Sequence, residues 1–133
     1  MSTLEIGQEL GAKSYPINRA LLVAYANASG DQNPIHQNEE FAKSVGLPDV
    51  IAHGMLTMAL AGKYVSDIAG CAAVKEFSAR FTKPVVVPAG ADVALVISAK
   101  VTSVEDGLAK LDITATVDEV KVLGMAKATI SFL

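Results

Sequence analysis

The sequence predicts an α+β fold in which an antiparallel sheet wraps one buried helix. Two observations carry this. Residues 54–70, GMLTMALAGKYVSDIAG, are long enough for about four helical turns and are apolar on nearly every face, and such a helix is normally buried. From residue 76 onward the pattern changes to strict alternation, the period of half-buried strands. The helix needs a wrapper and a one-faced sheet needs a cover, so one curved arrangement satisfies both. Periodicity does not report curvature, and a flat α+β sandwich stays open as the alternative.

The elements follow in order. A short strand leads, and Asn18 is placed to cap a helix over RALLVAYANAS, where Leu21, Leu22, Tyr25, Ala26 and Ser29 recur at helical spacing. Asn38 caps a shorter helix, EEFAKSV, that ends at Gly46. The apolar helix runs from Gly54 to Ala69. An antiparallel meander comes next. Phe77, Ala79 and Phe81 share one face of the first strand, and Val93, Leu95, Ile97, Ala99 and Val101 share one face of the second. Asp106-Gly107 is a hairpin signal, after which Leu111, Ile113, Ala115 and Val117 alternate with polar residues. A last strand alternates through Val120, Val122, Ala126, Ala128, Ile130 and Phe132. Pro84 and Pro88 lie between the first two strands of this set, where missing N–H groups do least harm.

Length and composition fit one domain over residues 1–133. The 133 residues are 51% hydrophobic and 19% charged, enough apolar material for a substantial core. A net charge of -3 argues against a general nucleic-acid or anionic-membrane surface. Cys71 stands alone, so no intramolecular disulfide forms. MSTLEIGQEL places Glu5 and Glu9 where a secretory leader needs basic and apolar residues. His53, Lys63 and Asp67 interrupt the most apolar stretch, which falls short of a membrane span. The expectation is a soluble, cytoplasmic protein with neither nucleic-acid nor membrane partners.

Chemistry concentrates in GDQNPIH. Gly30 supplies backbone freedom just before Asp31, while Pro34 fixes its own φ and biases Asn33 toward extended geometry. Asp31 and His36 can thereby converge, and a carboxylate and an imidazole on one water make a general acid/base pair. Taken alone, the segment reads more readily as an Asx turn, with Asp31 bonding backbone amides. Asp31, His36 and His53 also make a two-His, one-carboxylate set. No His-x3-His spacing or second carboxylate supports it, and no metal is expected. In IAHGML, Gly54 opens the apolar helix, whose free N–H groups and positive end suit a developing oxyanion. Alone, Gly54 equally relieves crowding where helix meets sheet. Arg80 and Lys83 read as a solvated sheet edge, or as contacts to the phosphates of a nucleotide-bearing substrate. Cys71 sits among small residues in AGCAAV, with no His or acid in that stretch to activate a catalytic thiolate.

These residues together resemble a known signature. YANASGDQNPIHQNEEFA is similar to the pattern of the MaoC-like, R-specific enoyl-thioester hydratases and dehydratases. That pattern has an aromatic, then Ser-Gly-Asp-x-Asn-Pro-aliphatic-His, then a small residue six positions on. Tyr25, Ser29, Gly30, Asp31, Asn33, Pro34, Ile35, His36 and Ala42 all fit. IAHGMLTMALAGKYV resembles the start of the family's central helix, and the similarity extends over essentially the whole chain. Within the family the likeness is nearest to the actinobacterial type II fatty-acid synthase (3R)-hydroxyacyl-ACP dehydratase, catalytic B subunit. The chain departs from some CoA-type members, which carry a Ser near the position of Gly62, so that hydroxyl's contact is missing here.

The resemblance implies a hotdog fold and reversible hydration of trans-2-enoyl thioesters to (3R)-3-hydroxyacyl thioesters, carried by CoA or ACP. It implies Asp31 and His36 as the catalytic pair, the Gly54 N–H as oxyanion donor, and Ser29 and Asn33 as supports of the loop. No cofactor is required. The central helix and the Phe77/Phe81 face would line an acyl site, and a homodimer or a heterodimer with a related hotdog subunit is implied. A non-catalytic acyl-thioester-binding subunit and a hotdog thioesterase are the alternative functions.

Overall fold

The computed structural model describes residues 4–132, so residues 1–3 and 133 of the expected domain, and the start of the N-terminal stretch, lie outside the described residues. Chain order is β1 (Glu9–Ile17), α1 (Arg19–Ser29), α2 (Glu39–Ser44), α3 (Gly54–Ala69), β2 (Val74–Phe81), β3 (Val93–Glu105), β4 (Leu108–Val117), β5 (Val120–Lys121) and β6 (Leu123–Ser131). The six strands form one antiparallel sheet, ordered β1-β3-β4-β6-β2, with β5 paired to β4. The sheet wraps α3, the hotdog arrangement.

Local chemistry sets the helix ends. The Asn18 side chain accepts from the Leu21 N–H, and Gly30 closes α1 in the left-handed region at φ 83°. The Asn38 side chain accepts from the Phe41 N–H to start α2. No described helix is long and apolar enough to cross a membrane.

Inward residues of α3 (Leu56, Ala61, Tyr64 and Val65) join one core with Leu95, Ile97, Val101, Leu111, Ile113, Ala128 and Ile130 from the sheet. Tyr64 is fully buried, and its hydroxyl donates to the Gly11 carbonyl at 2.8 Å. Gly11 lies where the β1–β3 register shifts between Leu10 and Lys13. The phenol therefore satisfies a carbonyl at the point where the ladder is irregular.

Three features of the sheet differ from the pattern read in the sequence. First, β1 is nine residues long rather than short. Second, β2 lies beyond β6 instead of beside β3, so only β3, β4 and β6 form a meander. The connection holding Pro84 and Pro88 makes no tight turn; it runs back along residues 50–52, with Ala52 N–H donating to Val85 O and Val87 N–H to Val50 O, both 2.8 Å. Third, the run from Val120 to Phe132 is two strands. Asp118 and Glu119 turn with positive φ (48° and 65°), and Val122 and Leu123 are both buried, which breaks the alternation. Met125 has φ 47°, and the β2–β6 register shifts between Ser78 and Arg80. Such a bulge bends a strand and re-aims its side chains.

The Asp106-Gly107 hairpin forms as expected, with both residues at positive φ (51° and 75°). The α3 helix is buried along one stripe only. Met55 (56% exposed), Ala59 and Lys63 face outward, because the sheet of a single chain covers one side of a helix.

Arg19 ties these parts together. Its guanidinium donates to Val87 O at 2.6 Å and to Asp49 Oδ1 at 2.8 Å, joining the start of α1 to the segment before α3 and to the connection between β2 and β3.

Candidate active site

The loop after α1 serves both readings of GDQNPIH at once. The Asp31 N–H donates to Ser29 Oγ at 3.1 Å, and Asp31 Oδ1 accepts from the Asn33 N–H at 3.2 Å. Asn33 Oδ1 in turn accepts from the Ile35 N–H at 3.2 Å and starts a short 3₁₀ turn, Pro34–His36. One carboxylate oxygen thus holds an Asx turn, and the other is left for His36. His36 Nε2 lies 3.9 Å from Asp31 Oδ2, beyond direct hydrogen bonding and within the span one bridging water covers.

The protonation pattern follows from the partners. His36 Nδ1 lies 2.8 Å from Ile51 O, and a carbonyl only accepts, so Nδ1 carries the proton. In the neutral ring Nε2 is then a lone pair facing Asp31, as a general base requires. The His36 side chain is 8% exposed and that of Asp31 is 51% exposed.

His53 sits directly beneath, a role that the sequence did not indicate. Its ring stacks on His36 with centroids 3.8 Å apart and planes at 24°, and Tyr25 packs against its other neighbourhood at 4.8 Å. His53 Nε2 donates to the Asp31 carbonyl at 3.1 Å. Its Nδ1 is buried with no partner among the described residues. Burial lowers the His53 pKa first, and the neighbouring His36 lowers it further; the bond to the Asp31 carbonyl and the Asp31 charge oppose this.

This sets a pH dependence. Unfolded, His53 titrates near the ordinary value of about 6.5, whereas the native ring resists its proton. As pH falls below that value the unfolded state binds more protons and stability is lost. The melting temperature of the parent, relative to His53→Gln, is expected to fall between about pH 7 and pH 5. Thermal scans of both proteins across that range check it; a constant difference would contradict it.

Asp31, His36 and His53 offer ligand atoms within 4.8 Å of one another. Ligands around one first-row ion sit closer, about 3.3 Å apart. The set does not fit a metal.

Gly54 opens α3, and His53 before it gives no side-chain cap, so the first N–H groups of the helix stay unpaired within it. A cavity of about 280 Å³ lies against this end, lined by His36, Gly54, Thr57, Phe81, Lys83 and Val122 among others. A Cβ on Gly54 would come within 3.2 Å of the Phe81 ring, so glycine is what lets these two meet. Of the residues read from sequence, the structure brings Asp31, His36, Ser29, Asn33 and Gly54 together, with Lys83 on the cavity wall. Arg80 does not line it; alternation along β2 points it away from Phe81. Phe77 is half-buried against the core, and Phe81 lines the cavity. The sequence offered His53 only as a member of a metal set and did not single out the buried Thr57, because what each does depends on the packing around it.

The family model described as MaoC like domain matches residues 2–121. The chain belongs to the MaoC-like family. It is 44% identical over 75 residues to 3-hydroxyacyl-thioester dehydratase X of Mycobacterium tuberculosis, a match covering 56% of this chain and 26% of that protein. The match thus spans about a quarter of that relative's length. A solved MaoC-like dehydratase superposes with a TM-score of 0.94 at 36% identity, over 98% of this chain and 41% of that one. The (R)-hydratase from A. caviae involved in PHA biosynthesis shares the fold over the full length of both chains, with a TM-score of 0.85 at 23% identity.

Proposed function

We propose that this MaoC-like domain catalyses the reversible hydration of trans-2-enoyl thioesters to (3R)-3-hydroxyacyl thioesters in fatty-acid metabolism. The observation that carries the reading is the 3.9 Å gap between a carboxylate oxygen and an imidazole lone pair, beside a cavity that ends on an uncapped helix. The dehydratase name of the M. tuberculosis relative supports it.

In hydration, Asp31 and His36 hold one water and take its proton as its oxygen attacks C3; a proton is returned to C2. Dehydration runs the same steps backward, so His36 and Asp31 remove the C2 proton and protonate the departing hydroxyl. The Gly54 N–H meets charge on the thioester oxygen, a kind of contact worth about 3 kcal/mol in the transition state. Ser29 and Asn33 fix the loop. The apolar lining of Phe81, Val85 and Val122 suits an acyl chain, and Lys83 at the wall suits a phosphate of the carrier. No cofactor enters these steps.

The partner assignment rests on α3. Met55 and Ala59 face outward one turn apart, and Phe81, which packs against Gly54 at the start of the same helix, is also exposed. A second hotdog subunit, identical or related, covers this face, and a pair of such subunits also shields the edge of the sheet. One core shared along the described chain supports reading residues 1–133 as a single domain. A cytoplasmic site of action goes with a CoA- or ACP-bound substrate.

The test is the purified chain with a chain-length series of enoyl-CoA and enoyl-ACP, with its mass in solution measured alongside. Loss of enoyl absorbance without release of free thiol is the expected result. Thiol release would indicate a thioesterase, and binding without turnover a non-catalytic subunit. Activity that emerges only with a second hotdog protein would assign this chain to a heterodimer.

A further inference from the structure

We infer that His53 is a positioning residue for the Asp31/His36 pair: its Nε2–H holds the Asp31 main chain while its ring face seats the His36 imidazole. The inference rests on the reading above and goes beyond it, because it concerns a side chain that touches neither water nor thioester.

Asp31 and His36 reach the site by different routes. Asp31 begins the loop after α1 and is half exposed, with its backbone N–H held by Ser29 Oγ and its carboxylate by the Asn33 N–H. Neither of these bonds within the described residues ties Asp31 to the body of the fold. The bond from His53 Nε2 to Asp31 O, 3.1 Å long and spanning 22 residues, supplies that tie. His36 is fixed in its plane by Ile51 O, yet one hydrogen bond leaves a ring free to rock about it. The His53 ring at 3.8 Å blocks that motion on one face. His53 itself is 1% exposed and immediately precedes Gly54 at the start of α3. One rigid point therefore references the acid, the base and the oxyanion donor to each other.

A residue serving the core alone would not look like this. Among the described residues His53 Nδ1 is buried without a partner, a cost that an apolar side chain of similar size avoids. The cost is consistent with a ring retained for its other nitrogen and its face. Burial, which holds His53 neutral, also keeps a second positive charge away from His36 when that ring takes up its proton.

Two variants separate the roles. His53→Phe keeps a flat ring and removes the donor; His53→Gln places an amide donor near the former Nε2. With crotonyl-CoA, His53→Phe is expected to lower kcat by about 10- to 100-fold with KM changed less than about threefold. His53→Gln is expected to recover at least about fivefold of that loss, because a misplaced acid is a geometric fault that a donor repairs. A kcat for His53→Phe within about twofold of the parent would overturn the inference. So would a loss carried by KM, or a Gln variant no better than Phe. If His53→Phe does not fold, the comparison of parent with His53→Gln stands in: a Gln variant retaining less than about a hundredth of parental kcat overturns the inference.

A measurement free of substrate keeps this apart from the function itself. The chain has two histidines, so ring ¹⁵N spectra assign readily with one variant. The expected spectrum has His53 neutral and protonated on Nε2 at pH 7, whether or not the parent hydrates any thioester. A His53 ring protonated on Nδ1 would overturn the positioning role alone, and an inactive parent with the expected spectrum would overturn the hydratase reading alone.

Discussion

Asp31→Asn is expected to fold as the parent does and to lose about 10³-fold of kcat in the hydration of crotonyl-CoA. The substitution is selective because the two oxygens of Asp31 do different work. The Asn oxygen can still accept the Asn33 N–H that Oδ1 now takes at 3.2 Å, so the loop keeps its shape. The amide NH₂ then replaces Oδ2 opposite His36, and a donor that takes no proton from water stands where a base stood. The expected stability change is below about 0.5 kcal/mol, since the site is half exposed. His36→Ala is expected to lose activity to a similar extent with a larger drop in melting temperature. It strips the donor from Ile51 O and uncovers the His53 ring. Steady-state assays and thermal scans on both variants measure this; near-parental rates in both would refute the mechanism.

Tyr64→Ala is the substitution expected to cost the fold most. The side chain is fully buried at the centre of α3 and packs among residues of the sheet. Removing a large aromatic there loses its transfer energy and leaves a cavity, about 3–5 kcal/mol together. Domains of this size have about 5–15 kcal/mol in all, so the variant would stand near the threshold of unfolding. Tyr64→Phe isolates the hydroxyl. It leaves the Gly11 carbonyl without its 2.8 Å donor beside the β1 bulge, and about 1–1.5 kcal/mol is expected. Urea denaturation at equilibrium gives both values. A Phe variant as weak as the Ala variant would mean that the bulge, not the packing, holds β1.

Helix caps were legible because a cap is a local event. Asn18 and Asn38 each act within a few residues, and the structure uses both. The Asp106-Gly107 turn was legible for the same reason. The position of β2 was not. Alternation in 76–82 says that a strand forms, but its neighbour is chosen by the long connection through Pro84 and Pro88, which pairs with residues 50–52. The break near Leu123 was also hidden, since Val122 and Leu123 are buried in succession and mimic one continuous apolar strand. In the site, Asp31 and His36 announced themselves through a dense polar motif. His53 did not, because its partners, the Asp31 carbonyl and the His36 ring face, are a backbone atom and a stacking surface that no residue pattern records.

The unequal exposure of the pair sets the traffic through the site. His36 lines the cavity against Gly54, whereas Asp31 stands half in solvent and is not part of that wall. Under the proposed chemistry, the acyl thioester and the reacting water then enter by separate doors. The water position can be refilled from the Asp31 side while a substrate remains seated on the helix end. A bound enoyl ester does not have to leave for the next water to arrive, and a hydroxyl expelled in the reverse direction escapes into bulk solvent without passing the acyl chain. Oxygen from labelled solvent would accordingly enter the 3-hydroxyl of a bound product through repeated dehydration and rehydration before that product is released.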